Sequence, residues 1–141
     1  MTRGRALACS VVAWAAAWVL WYATTRAQHP TAALARTVTT SLVVAYALAA
    51  WLDHLAWRPR WLARGRRGAY AAAMATTMVL LTGAALAVIR TAYVRALGPD
   101  PDPNGTLRHF AIDLVGMAVH LVIASVVVRL WRRRWPDTGV A

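Results

Sequence analysis

The sequence predicts an all-α integral membrane protein, a four-helix bundle with both its N-terminus and its C-terminus in the cytoplasm. Three observations carry that reading. Apolar residues, 60% of the 141, are gathered into four blocks: Ala6–Thr25, Thr37–Leu52, Gly68–Ile89 and Phe110–Val128. They run from sixteen to twenty-two residues, around the twenty or so that a helix needs to cross a hydrocarbon core of about 30 Å. The blocks do not alternate as barrel strands do, runs such as AYAAAMA and SVVVRL being continuous. Finally, all sixteen basic residues are arginines and stand mostly at the ends of the blocks. The net charge of +11 therefore reads as membrane topology and attraction to anionic headgroups, not as a nucleic-acid surface.

The chain opens on Arg3 and Arg5 before its first block, and the expected helix covers residues 6–25. It resembles a signal peptide but is read as a retained anchor, because its apolar part is long and ATTRAQ offers no small-x-small cleavage site. Trp14, Trp18 and Trp21 recur at helical spacing, which points to packing or interfacial anchoring. The lone Cys9 can form no internal disulfide and reads as a small buried thiol.

His29-Pro30 marks a turn, since proline suits the first helical position and disfavours helix in the residue before it. The second helix is expected over 30–57, stopping at Arg58-Pro59, with Arg36 at its outer end and Asp53-His54 at its inner end. The basic loop 58–67 follows, with Arg58, Arg60, Arg64, Arg66 and Arg67. Together with Arg3, Arg5, Arg129, Arg132, Arg133 and Arg134 it puts eleven arginines on one side, against five on the other (Arg26, Arg36, Arg90, Arg95, Arg108). The positive-inside rule then makes this loop and both termini cytoplasmic, in a multi-pass protein of the cell membrane.

The third helix is expected over 68–97, closed by Gly98-Pro99. Its many Ala, Thr and Gly residues favour close helix approach and predict that it is central to the bundle. The outer loop 98–106, GPDPDPNGT, reads as stiff and solvated. Its Asn104-Gly105-Thr106 matches a glycosylation sequon but reads as a turn, with Thr106 as N-cap of a last helix over 107–131. The tail 132–141 follows; from Pro136 onward it is expected to be disordered. The two halves show no repeat, so an inverted-repeat transporter has no direct support.

Candidate chemistry sits on the last helix. At 100° per residue His109, Asp113, Gly116 and His120 share one arc, which should face other helices, because Asp at a helix centre costs about 2.5–3.5 kcal/mol in lipid. Asp113 lies about 6 Å inside the helix start, a depth Arg90 or Arg36 can share, so a structural ion pair is the first reading and a proton-accepting carboxylate the second. His120 reads as a neutral core histidine, with Tyr46, Thr77 or Thr82 at a suitable depth. These residues, Asp113, His120, Arg90, Arg36 and His109, make one candidate polar site; Asp53 and His54 make an inner one, near Arg58 and Arg129.

Haem is disfavoured because His54, His109 and His120 lie at different levels, and His109 with Asp113 gives a metal only two ligands, so no cofactor or metal is expected. Hydrolase and nucleotide motifs are absent, Glu is missing altogether, and the balance is against an enzyme. The reading that remains is a non-catalytic assembly, accessory or regulatory subunit, working as a homo-oligomer or with a partner membrane protein. A small oligomeric proton-linked transporter or channel using Asp113 and His120 is the alternative. A redox protein holding haem or quinone near His120 is the third.

Overall fold

The computed structural model describes residues 3–99 and 105–134, with side chains over 8–99 and 105–130. Helix α1 covers Arg3–Thr25, and a single 3-10 turn, Arg26–Gln28, leads toward α2, Ala32–Leu52. Thr31 caps α2 by accepting a hydrogen bond from the Leu34 N–H through its side chain, which satisfies one of the donors a helix start leaves open. A π-helical turn, Asp53–Trp57, extends α2, and helical geometry persists over Arg58–Arg60. Helix α3, Arg67–Leu97, and helix α4, Gly105–Arg134, complete the arrangement. All four are long and apolar enough to cross a membrane.

The expectation that the second helix stops at Arg58-Pro59 is corrected. Proline cannot donate to the residue four before it, and a regular helix breaks there. Here the preceding turn widens, the Arg58 N–H reaching back five residues to the Asp53 carbonyl. The chain thus carries Pro59 within a helical turn instead of ending at it.

The centre of the bundle is α2, not α3. Leu42, Ala45, Tyr46, Ala49 and Ala50 of α2 form the core with Ala85 of α3 and Met117 and Leu121 of α4, and Trp14 and Trp21 of α1 pack against it. Five alanines, Ala35, Ala45, Ala47, Ala49 and Ala50, are buried on α2, so neighbours approach it from several sides. The small residues of α3 are split between faces: Thr77, Thr82 and Ala85 are buried while Ala71, Ala72, Ala75, Thr76, Ala84 and Ala87 are exposed. Composition alone does not separate a small residue that admits a helix from one that meets the surroundings.

Helix α1 is peripheral. Between Ala8 and Thr25 it has no buried residue, and Cys9 is exposed, contrary to its reading as a buried thiol. It is held to α2 through its tryptophans and one serine. The Trp18 indole N–H donates to Thr40 Oγ1 at 3.0 Å, and the Trp51 indole N–H of α2 donates to Ser10 Oγ at 2.9 Å. Thr40→Val is therefore expected to weaken the α1–α2 contact by about 0.6 kcal/mol, the usual worth of one interhelical hydrogen bond in a membrane protein. Unfolding of the purified protein in mixed micelles measures it, and an unchanged midpoint would remove this bond from the account.

The exposed surface is apolar along the helices, with Val11, Val12, Val19 and Leu20 on α1, Val79, Leu80 and Val88 on α3, and Ile112, Val115, Val122 and Val126 on α4. Such a surface suits hydrocarbon far better than water.

Candidate functional site

At the end of the bundle that carries the arginine-rich turn, one carboxylate gathers three helices. Asp53, in the π-turn, is 2% exposed. Its Oδ2 accepts from Arg58 Nε at 2.6 Å, and its Oδ1 accepts from the Tyr70 hydroxyl of α3 at 2.7 Å. Arg58 then donates through Nη2 to Ser125 Oγ of α4, also at 2.6 Å. The wide turn puts Arg58 five residues after Asp53 on the same side, so both side chains point into the bundle. Beside them the Trp57 indole N–H donates to Thr77 Oγ1 at 3.0 Å, a second tie between α2's extension and α3. Every oxygen of the carboxylate is engaged, and the positive charge beside it offsets the cost of burying it.

Sequence reading placed Asp53 and His54 here, near Arg58 in depth, and missed Tyr70 and Ser125. Both carried a signal. Tyr70 is the one hydroxyl among the alanines that open α3, and Ser125 is the one serine of α4. Each stands at the depth of an acid that needs donors. His54 is half-buried in the same π-turn.

The second cluster lies further along α4. The His120 ring stacks on Trp21 at 5.2 Å between centroids and tilts against Tyr46 at 4.8 Å. Its Nδ1 lies 2.7 Å from the Gly116 carbonyl oxygen. A carbonyl only accepts, so Nδ1 carries a proton and donates it. Of the partners expected for His120, Tyr46 is at hand, but as a ring contact; the hydrogen bond runs within α4. Tyr46 itself, 2% exposed, donates its hydroxyl to the Asp113 backbone carbonyl at 3.3 Å. Gly116 makes this crossing possible, since a Cβ there would stand 2.9 Å from the Tyr46 hydroxyl oxygen.

The outer candidates are not brought together as one ion-pair group. Asp113 is half-buried, and among the described residues neither Arg90 nor Arg36 pairs with it. Arg90 instead donates through Nη1 to Thr106 Oγ1 at 2.8 Å, linking α3 to the start of α4. Arg36 and His109 are exposed. Thr106 lies inside α4, which begins at Gly105, so its reading as N-cap is corrected; the capping position and the sequon residue Asn104 lie outside the described residues, as does the tail from Trp135. At the same end His29 Nδ1 and the Tyr93 hydroxyl are hydrogen-bonded at 2.6 Å, joining the α1–α2 connection to α3, a pair sequence reading did not single out.

Two shallow open grooves run along α3, lined by Ala87, Thr91 and Arg95 with Val88, Arg90 or Val94, and neither includes Asp113 or His120. Among the described residues no three His, Cys, Asp or Glu side chains converge on a point where a metal could sit. Comparison with models of protein families, with curated proteins and with solved structures finds no match.

Proposed function

We propose that this chain is a non-catalytic subunit of a larger membrane system, inserted with both termini and the basic turn on the cytoplasmic side, whose work is to present a fixed helical surface. The observation that carries the reading is the use of Asp53. A buried ionic group that touches substrate keeps a vacant coordination direction or a path to solvent, whereas Asp53 is closed on both oxygens by Arg58 and Tyr70 and tied through Arg58 to Ser125. The His120 ring packs against Trp21 and Tyr46, and its Nδ1 is spent on its own helix. Polar groups spent in this way fix helix rotation and register. The apolar outer faces of α1 and α4 are then free for lipid or for helices of a partner.

The test is mild extraction of the full-length protein from its own membrane, followed by identification of what travels with it. A partner membrane protein recovered at fixed stoichiometry, together with liposomes that show no pH-driven flux, is the expected result. Recovery of the chain alone, with proton flux abolished in both Asp113→Asn and His120→Ala, would overturn the proposal in favour of transport. That second reading has one observation behind it, the half-buried Asp113 carboxylate that no described arginine neutralises.

A further inference from the structure

The turn between α2 and α3 carries five arginines, and they divide sharply. Arg58 turns inward to Asp53 and Ser125. Arg60, Arg64, Arg66 and Arg67 are exposed, and among the described residues none forms an ion pair. Their backbone is nevertheless held tightly. The N–H groups of Arg64 and Arg66 both donate to the Trp61 carbonyl, at 3.2 and 2.9 Å, and those of Gly65 and Arg67 donate to Leu62 and Gly65 at 3.1 and 2.9 Å. Gly65 adopts φ 73°, a left-handed conformation that closes the turn and that a side chain would disfavour. The Trp61 ring stacks on Trp57 at 4.9 Å, and the Arg60 guanidinium lies 5.5 Å from the Trp61 ring centre.

Four arginines are thus carried within eight residues on a backbone held by its own hydrogen bonds, and Asp53, the one acid of this end among the described residues, is already engaged. Like charges held close repel one another and call for a counter-anion. Both flanking helices are apolar, so the turn sits where a bilayer would place its phosphates, and Trp61 is the kind of side chain that settles at that level. We propose that residues 60–67 form a specific site for an anionic phospholipid headgroup carrying two phosphate charges, gripped by Arg60, Arg64, Arg66 and Arg67 against the face of Trp61. This goes beyond the subunit reading and does not depend on it. It needs only that the helices cross a bilayer.

Native mass spectrometry of the full-length protein in detergent, titrated separately with diphosphatidylglycerol, phosphatidylglycerol and phosphatidylcholine, tests the site. One diphosphatidylglycerol should be retained in preference to the other two. Retention should fall about fivefold for each arginine neutralised and roughly 100-fold in Arg64→Gln/Arg66→Gln/Arg67→Gln, at about 1 kcal/mol per basic residue. Arg95→Gln, at the opposite end of α3, should change nothing. Helical content and a monodisperse profile show whether the triple variant is folded; if it is not, Arg60→Gln alone and the loss of the wild-type adduct on raising salt from about 0.05 to 0.5 M supply the same test. Equal retention of phosphatidylcholine, or no change in folded variants, would overturn the proposal. So would displacement of the lipid by equimolar inorganic phosphate, which would make the site one for a free anion, or by an equimolar single-stranded oligonucleotide, which would make it a nucleic-acid surface.

Discussion

Asp53→Ala is expected to cost about 3–5 kcal/mol of folding stability, the usual result of removing one partner from a buried ion pair. The magnitude follows from what is left behind. Arg58, whose side chain is 26% exposed, would keep its charge beside a cavity, and the Tyr70 hydroxyl would lose its acceptor. The link from α2's extension through Arg58 to Ser125 of α4 would lose the anchor that aims it. Tyr70→Phe removes one hydrogen bond without stranding a charge and should cost only about 1 kcal/mol. Asp53→Leu combined with Arg58→Met should recover much of the loss, because an apolar pair of similar size avoids desolvation altogether. Reversible unfolding in mixed micelles reads all three. If Asp53→Ala cost no more than Tyr70→Phe, the carboxylate would not be the hub described here.

Gly116→Ala is expected to destabilise the α2–α4 crossing by about 1–3 kcal/mol, as overpacking of a filled interior does. The new methyl would meet the Tyr46 hydroxyl at 2.9 Å. Tyr46 has little room to yield, since it is 2% exposed and has Trp21 and His120 against its ring. Tyr46→Phe removes the atom in conflict, so the same Gly116→Ala change made in that background should cost well under half as much. The difference between the two backgrounds is the coupling of the pair, and additive effects would mean that the two residues do not meet.

Much of the architecture was legible because lipid-sized apolar blocks and arginine-flanked ends are large, averaged signals. Four hydrophobic helices follow from them without any knowledge of packing. Centrality did not follow. The third block is richer in small residues, yet what matters is whether they fall on one face, and in α3 they are divided between Thr77, Thr82 and Ala85 inside and Ala72, Ala75 and Ala87 outside. The candidate sites were legible to different degrees for a similar reason. Asp53 and Arg58 are near in sequence, so their shared depth could be read directly. Tyr70 and Ser125 join them only through the tertiary fold. For Asp113, depth admitted Arg90 and Arg36 as partners, but helix rotation decides contact; Arg90 points to Thr106 and Arg36 to the surroundings. The π-turn was not legible at all, because a proline at residue 59 ordinarily ends a helix and nothing local announces the widened turn before it.

The central claim is that the apolar outer faces of these helices meet hydrocarbon while the Asp53–Arg58 pair turns inward. Nitroxide labels placed singly at Leu20, Leu80 and Val122 in a Cys9→Ser background, with the protein in lipid bilayers, test it most directly, because all three side chains are exposed on different helices. Frequent collision with oxygen and little with a water-soluble nickel complex is expected at these three positions, and the reverse at Arg64 in the basic turn. Ready access of the nickel complex to Leu20, Leu80 and Val122 would contradict the claim.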